Sequence, residues 1–179
     1  MNKTAIFAAI AAATVVSTPA FAQEAAPFTG AHAEVITGYD AIDTNSPVGT
    51  PDGVIYGFGA GYDFNLRGAI VGIEGEVADS STSRTIGGTK LESDRDLYVG
   101  ARFGGLITPR VLAYVKAGYT NARIESPGFG GSNGDGVRVG AGLEYQVAGN
   151  LFVKGEYRYS NYEAGVERHQ VVGGLGVRF

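Results

Sequence analysis

The stretch His169-Gln-Val-Val-Gly-Gly-Leu-Gly-Val-Arg-Phe179 decides how the chain is read. Taken in steps of two back from its end, one set is Phe179, Val177, Leu175, Gly173 and Val171. The other is Arg178, Gly176, Gly174, Val172 and Gln170. The first set is largely apolar and closes on an aromatic ring; the second is mostly small, polar or cationic. A period of two belongs to a strand whose faces meet different surroundings. The length suits a tilted strand crossing a bilayer, which takes roughly 9–11 residues. An exposed Phe at the end of a soluble sheet is out of place. It suits a barrel, whose last strand pairs with its first and leaves no edge.

Working back from this strand, seven more segments carry the same alternation. The eight are placed near 28–39, 53–63, 69–78, 95–105, 111–121, 136–146, 151–162 and 169–179. In 151–159, Leu151, Val153, Gly155, Tyr157 and Tyr159 oppose Phe152, Lys154, Glu156 and Arg158. In 137–145, Val137, Val139, Ala141, Leu143 and Tyr145 oppose Arg138, Gly140, Gly142 and Glu144. Val115 and Ala117 oppose Lys116, Ala101 and Phe103 flank Arg102, and Ile73 and Val77 oppose Glu74 and Glu76. Glu34 falls between outward Ala33 and Val35, and Gly57, Gly59 and Gly61 face inward between Tyr56, Phe58, Ala60 and Tyr62. An Arg or Lys facing the bilayer midplane costs roughly 2–4 kcal/mol, so every mid-strand charge is assigned to the interior. Outward Tyr and Phe near strand ends read as interfacial girdles.

The connections alternate. Asp40–Asp52, Asp79–Asp94 and Ala122–Asp135 are long, Phe64–Gly68, Leu106–Arg110 and Val147–Asn150 are short, and Tyr162–His169 is intermediate. Short turns on one side and longer loops on the other are the habit of outer-membrane barrels. Both termini then lie on the periplasmic side. The 29 glycines and a mean hydropathy near zero exclude a bundle of membrane helices. A formal charge of −4 gives nucleic-acid binding no electrostatic support. At the start, Lys3, the apolar run Ala5–Val16, Pro19 and the box Ala20-Phe21-Ala22 read as a secretory signal cut between Ala22 and Gln23. The expected organisation is a signal peptide over 1–22 and a barrel domain over 23–179.

Asp96-Leu-Tyr-Val-Gly-Ala-Arg-Phe-Gly104, Pro109-Arg-Val-Leu-Ala-Tyr-Val-Lys-Ala-Gly-Tyr119 and Gly176-Val-Arg-Phe179 resemble the small outer-membrane β-barrel family of Gram-negative bacteria. This is the eight-stranded OmpA/OmpX-like and opacity-type group, often called the porin family. The resemblance implies an eight-stranded antiparallel up-and-down transmembrane β-barrel in the bacterial outer membrane. It implies Phe179 as the terminal aromatic read by the barrel-assembly machinery, and contact with outer-membrane lipids, including lipopolysaccharide. With the sequence stopping at Phe179, no C-terminal peptidoglycan-binding domain is expected. The motifs are strand and turn patterns, so they speak to fold and place rather than to site chemistry.

The candidate site is the interior charge set: Glu34, Glu74, Glu76, Glu144 and Glu156 against Arg102, Lys116, Arg138, Lys154, Arg158 and Arg178. An eight-stranded interior is about wide enough for side chains alone, so the expectation is a salt-bridge network filling the lumen. The partner of Glu156 is sought in Arg138 or Arg102. His169 and Ser160 stand near one rim, but parity turns His169 outward and Ser160 inward, against a His-Ser catalytic pair. Gly57-x-Gly59-x-Gly61 has no following helix and reads as lumen space rather than a phosphate loop. No catalytic, metal or cofactor site is expected. The leading function is a non-enzymatic, monomeric barrel serving membrane integrity or adhesion through its outer loops to a surface ligand. A narrow porin-like channel is the alternative, and a lipid-A-modifying enzyme the distant one.

Overall fold

The structure, a computed structural model, describes residues 28–43, 52–80, 83–86, 89–126, 130–162 and 166–179. The expected signal peptide and cleavage site at Ala22 and Gln23 lie outside the described residues. The described elements are all strands: β1 (Gly30–Asp43), β2 (Asp52–Leu66), β3 (Ala69–Ser80), β4 (Ser83–Ile86), β5 (Thr89–Thr108), β6 (Val111–Ser126), β7 (Gly130–Ala148), β8 (Leu151–Tyr162) and β9 (Val166–Arg178). Sequential long strands pair antiparallel. β3 pairs with β5, and β1 pairs with β9, which closes a ring of eight; the four-residue β4 pairs with β5 outside that ring.

The register sets the dimensions. Followed from partner to partner around the ring, Ala33 leads through Ala60, Gly75, Val99, Tyr119, Val137, Asn161 and Glu167 to Asp43. That is a stagger of ten residues along one strand. With a rise of about 3.3 Å and a strand spacing of about 4.8 Å, eight strands so staggered tilt by roughly 40°. The backbone radius is then about 8 Å, so long side chains from opposite walls meet at the axis.

One end of the barrel carries two-residue turns. Arg67 and Gly68 both have positive φ, 56° and 98°, the requirement of the hairpin turn that matches strand twist. Asn65 Oδ1 accepts from the Gly68 N–H at 2.9 Å. The β5–β6 turn at Pro109–Arg110 and the β7–β8 turn at Gly149–Asn150 lie at the same end. Both termini of the barrel lie there too: Phe179 N–H donates to Ala31 O at 2.8 Å.

The other end differs from the sequence expectation. The long connections read over 79–94 and 122–135 are largely strand: β4 pairs with Thr89–Glu92, and β6 pairs with β7 from Asn121–Asp135 up to Ser126–Gly130. A sheet of β4–β7 thus rises above the ring, past the last β8 partner, Tyr162 opposite Gly136. Alternation could not reveal these extensions. They are Gly-, Ser- and Thr-rich, without a sustained apolar alternation in sequence, and ladder hydrogen bonds need no apolar side chains.

The outward set is as the parity reads it. Phe58, Ile73, Val99, Phe103, Val115, Val137, Leu143, Tyr157 and Val171 are all exposed on the wall, which is the lipid-facing belt. Among the described residues no helix is long and apolar enough to cross a membrane; the crossing is made by strands.

Candidate functional site: the charged lumen

Each strand sends alternate residues into the lumen, and the described ones sort into layers. The periplasmic layer joins Asp63 and Glu144 to Arg102 and Arg178. Arg102 Nε donates to Asp63 Oδ1 at 2.7 Å and its Nη1 to Glu144 Oε2 at 3.1 Å. Arg178 spans the same two carboxylates at 2.7 and 2.5 Å. His32 Nδ1 lies 3.2 Å from Asp63. An apolar floor of Phe28, Ile70, Leu112 and Tyr114 accompanies it. The Arg178 guanidinium sits 5.8 Å from the Phe28 ring and 5.4 Å from the Phe152 ring, near enough for cation–π attraction.

The middle layer holds Glu34, Glu74, Glu76 and Glu156 with Lys116, Lys154 and Arg158. Lys116 Nζ lies 2.7, 2.9 and 2.9 Å from Glu74, Glu76 and Glu156. Lys154 Nζ reaches Glu34 at 2.5 Å and Glu156 at 3.5 Å. Arg158 pairs with Glu76 at 2.7 Å and with Glu156 through Nε. Tyr114 Oη donates to Glu156 at 2.6 Å. Above lies a second apolar cluster, Ile36, Ile55, Ala78 and Val172. The buried Tyr98 ring lies below Arg138, with Lys116 Nζ 4.5 Å from its centroid.

The outer layer is built on Asp40 and Asp96. Arg168 binds Asp40 at 2.5 Å and Asp96 at 3.0 Å, and Arg138 binds Asp96 at 2.6 Å. Neutral groups complete it. Ser80 Oγ and Gln170 Nε2 donate to Asp40, and Thr120 Oγ1 donates to Asp96. Arg138 donates to Ser160 Oγ at 2.9 Å and Tyr162 Oη at 3.3 Å.

Glycines make room for these long chains. Glu34 faces Gly59, His32 faces Gly61, Tyr114 faces Gly142, Lys154 faces Gly174 and Phe152 faces Gly176 directly across the ladder. A Cβ on Gly59 would stand 2.8 Å from Glu34 Oε1, and one on Gly176 would stand 2.3 Å from Phe152 Cζ. Both are closer than packed atoms approach. The Gly57-x-Gly59-x-Gly61 series is therefore a shelf for side chains of the neighbouring strand.

All eleven charged residues singled out from the sequence are buried and in the lumen: Glu34, Glu74, Glu76, Arg102, Lys116, Arg138, Glu144, Lys154, Glu156, Arg158 and Arg178. The pairing expected for Glu156 is corrected. Its partners are Lys116, Lys154, Arg158 and Tyr114, while Arg102 serves the periplasmic layer and Arg138 the outer one. In the β7–β8 ladder Arg138 lies opposite Ser160 and Glu156 opposite Gly142, so the hairpin register sets Arg138 four residues above Glu156. Four lumen charges escaped the reading from sequence: Asp40, Asp63, Asp96 and Arg168. Each lay at the end of an expected strand or in an expected loop, where Asp is ordinarily a turn residue. Parity carried two residues further would have found them.

At the rim, Ser160 faces in and accepts from Arg138, while His169 faces the outer wall, where its Nδ1 lies 2.6 Å from Tyr157 Oη. The two do not converge on a common reacting atom. On the projecting sheet, Tyr119 and Asn121 donate to Asp135, and these bonds hold its carboxyl below the ordinary aspartate value. Phe179 lies exposed on the wall at the periplasmic end.

A closed ring of eight tilted strands, apolar outside and layered with paired charge inside, defines a small transmembrane β-barrel. Residues 8–179 match the family described as outer membrane protein beta-barrel domain, and the chain belongs to that family; it is a bacterial outer-membrane protein. It is 28% identical over 137 residues to the 25 kDa outer-membrane immunogenic protein of Brucella ovis, covering 72% of this chain and 65% of that one. The chain thus spans just under two thirds of that relative's length. It is 28% identical over 194 residues to the 31 kDa outer-membrane immunogenic protein of Brucella melitensis, covering 86% and 80%. Among solved structures it is similar in fold to Neisserial surface protein A, with a TM-score of 0.65, 18% identity and coverage of 84% and 98%. Ail, the attachment invasion locus protein of Yersinia pestis, in complex with the heparin analogue sucrose octasulfate, has a TM-score of 0.59, 19% identity and coverage of 84% and 100%.

Proposed function

We propose that this is a non-catalytic barrel with a sealed lumen, whose working surface is the sheet that β4–β7 raise above the membrane. Its role is surface interaction or adhesion, together with membrane integrity. The observation that carries this reading is the layering of the lumen. The lumen side chains are buried and paired with one another between the apolar floor and, on the β1–β3 and β9 side, the Ile36–Ile55–Ala78–Val172 cluster, so an ion path would have to displace them. Among the described residues the buried charges are eight carboxylates against seven Lys and Arg, with His32 beside them. A selective path favours one sign.

What remains for partners is the outer sheet. Along Gly130–Asp135, β7 pairs with β6 on one side and runs past the end of β8 on the other. Such an edge can take up an extended segment of a partner chain. The Brucella relatives are named as immunogenic, which fits a reading in which the exposed part matters.

Bilayer recording on the purified chain tests the seal. The expected outcome is no reproducible conductance steps; regular steps would make the narrow pore the better reading. Replacing residues 83–92 with a short turn should leave the gel-mobility change on boiling intact and abolish attachment of cells displaying the protein. Unchanged attachment would remove the sheet from the proposal.

A further inference from the structure

At the periplasmic end, the β2–β3 and β5–β6 hairpins are neighbours, because β3 pairs with β5. Their turns carry Arg67 and Arg110, both exposed. Leu66 precedes the first and is 60% exposed. Ile107, which the bulge between Leu106 and Thr108 throws outward, precedes the second and is 62% exposed. The described Asp and Glu side chains at this end, Asp63 and Glu144, are buried and held by Arg102 and Arg178. The terminal carboxylate belongs to the β9 side, which β1 separates from β2. The third periplasmic turn, Gly149–Asn150, carries no charge.

An arginine beside an exposed Leu or Ile is poorly placed in bulk water and well placed at a bilayer interface. There the apolar neighbour enters the acyl region and the guanidinium stays among phosphates. Two strand spacings, about 10 Å, separate the hairpins, within joint reach of two arginine side chains. Guanidinium and phosphate match in shape and charge. We infer that Arg67 and Arg110 together bind the phosphate headgroup of one anionic phospholipid of the periplasmic leaflet, its chains lying against Phe64, Leu66 and Ile107. The site sinks this corner of the barrel deeper into that leaflet than the Gly149–Asn150 corner.

The test is native mass spectrometry of the folded full chain in detergent with equal phosphatidylglycerol and phosphatidylcholine. The anionic lipid should be retained about thirty-fold over the zwitterionic one, given roughly 1 kcal/mol for each of the two arginines near such a surface. Arg67→Gln with Arg110→Gln should bring the ratio close to one while the mobility change on boiling persists. Arg95→Gln, toward the outer end, should leave the ratio as it was. Millimolar inorganic phosphate should not displace the lipid. Equal retention by the native chain, an unchanged preference in the double variant, or displacement by free phosphate would each overturn the site.

Discussion

In the middle layer of the lumen four glutamates share Lys116, Lys154 and Arg158, with Tyr114 among the few neutral donors. In the outer layer two aspartates share Arg138 and Arg168, and Ser80, Thr120, Ser160, Tyr162 and Gln170 bond around them. Both layers are buried. A charge that loses its partner in the first has only other ions to turn to. In the second it keeps hydroxyls and an amide. Buried ions are costly chiefly when orphaned, so the two layers should respond differently to the same chemical change.

The largest effect is expected at Glu156. Glu156→Gln leaves Lys116, Lys154 and Arg158 to share the remaining glutamates, and should cost about 3–5 kcal/mol in urea unfolding from lipid vesicles. Arg158→Met added to it should recover much of the loss, because Glu76 keeps Lys116. Arg138→Met added instead should be additive within about 0.5 kcal/mol, because Arg138 belongs to the outer layer. Coupling of Glu156 to Arg138 but not Arg158 would erase the boundary between the layers.

Asp96→Asn should cost less, about 1–3 kcal/mol, since Arg138 keeps Ser160 and Tyr162 and Arg168 keeps Asp40. A loss equal to that of Glu156→Gln in the same unfolding assay would mean that the hydroxyls do not compensate.

Glycines sharpen the contrast between inner and outer faces. Gly176→Val drives a side chain into Phe152 and should destabilise by about 1–3 kcal/mol. Gly155→Val meets nothing within 4 Å on the outer wall, and should stay within about 0.5 kcal/mol. Equal losses would show that the shelf is not what fixes glycine in the lumen.

The smallest effect lies on the projecting sheet. Tyr119→Phe removes the main donor to Asp135, so the carboxyl should titrate closer to an ordinary aspartate when followed by NMR. The bonds favour the ionised form, so whatever they contribute is present at neutral pH and fades as acid protonates Asp135. Global unfolding should not change, because the group is fully exposed; an unmoved midpoint would mean that the two bonds do not persist in solution.

The alternation that runs back from Phe179 determined the strand number, the antiparallel order, the side on which the short turns lie, and which charges face inward. Period-two patterning under a membrane is a strict rule, since one misplaced charge costs several kcal/mol. It fell silent where the membrane ends. Asp40, Asp63, Asp96 and Arg168 sit at the ends of expected strands or in expected loops, just past where the alternation was followed. The β4–β7 extensions carry no sustained apolar alternation in sequence.

The tertiary structure alone decided who pairs with whom. Partner choice depends on the stagger accumulated around the closed ring, a property of all eight strands together. That stagger sets Arg102 with Asp63 and Glu144, brings Lys116 to Glu156 beside its own-strand neighbours Lys154 and Arg158, and lifts Arg138 to Asp96. Each strand's sequence specifies which face a residue takes; only closure of the barrel specifies its height.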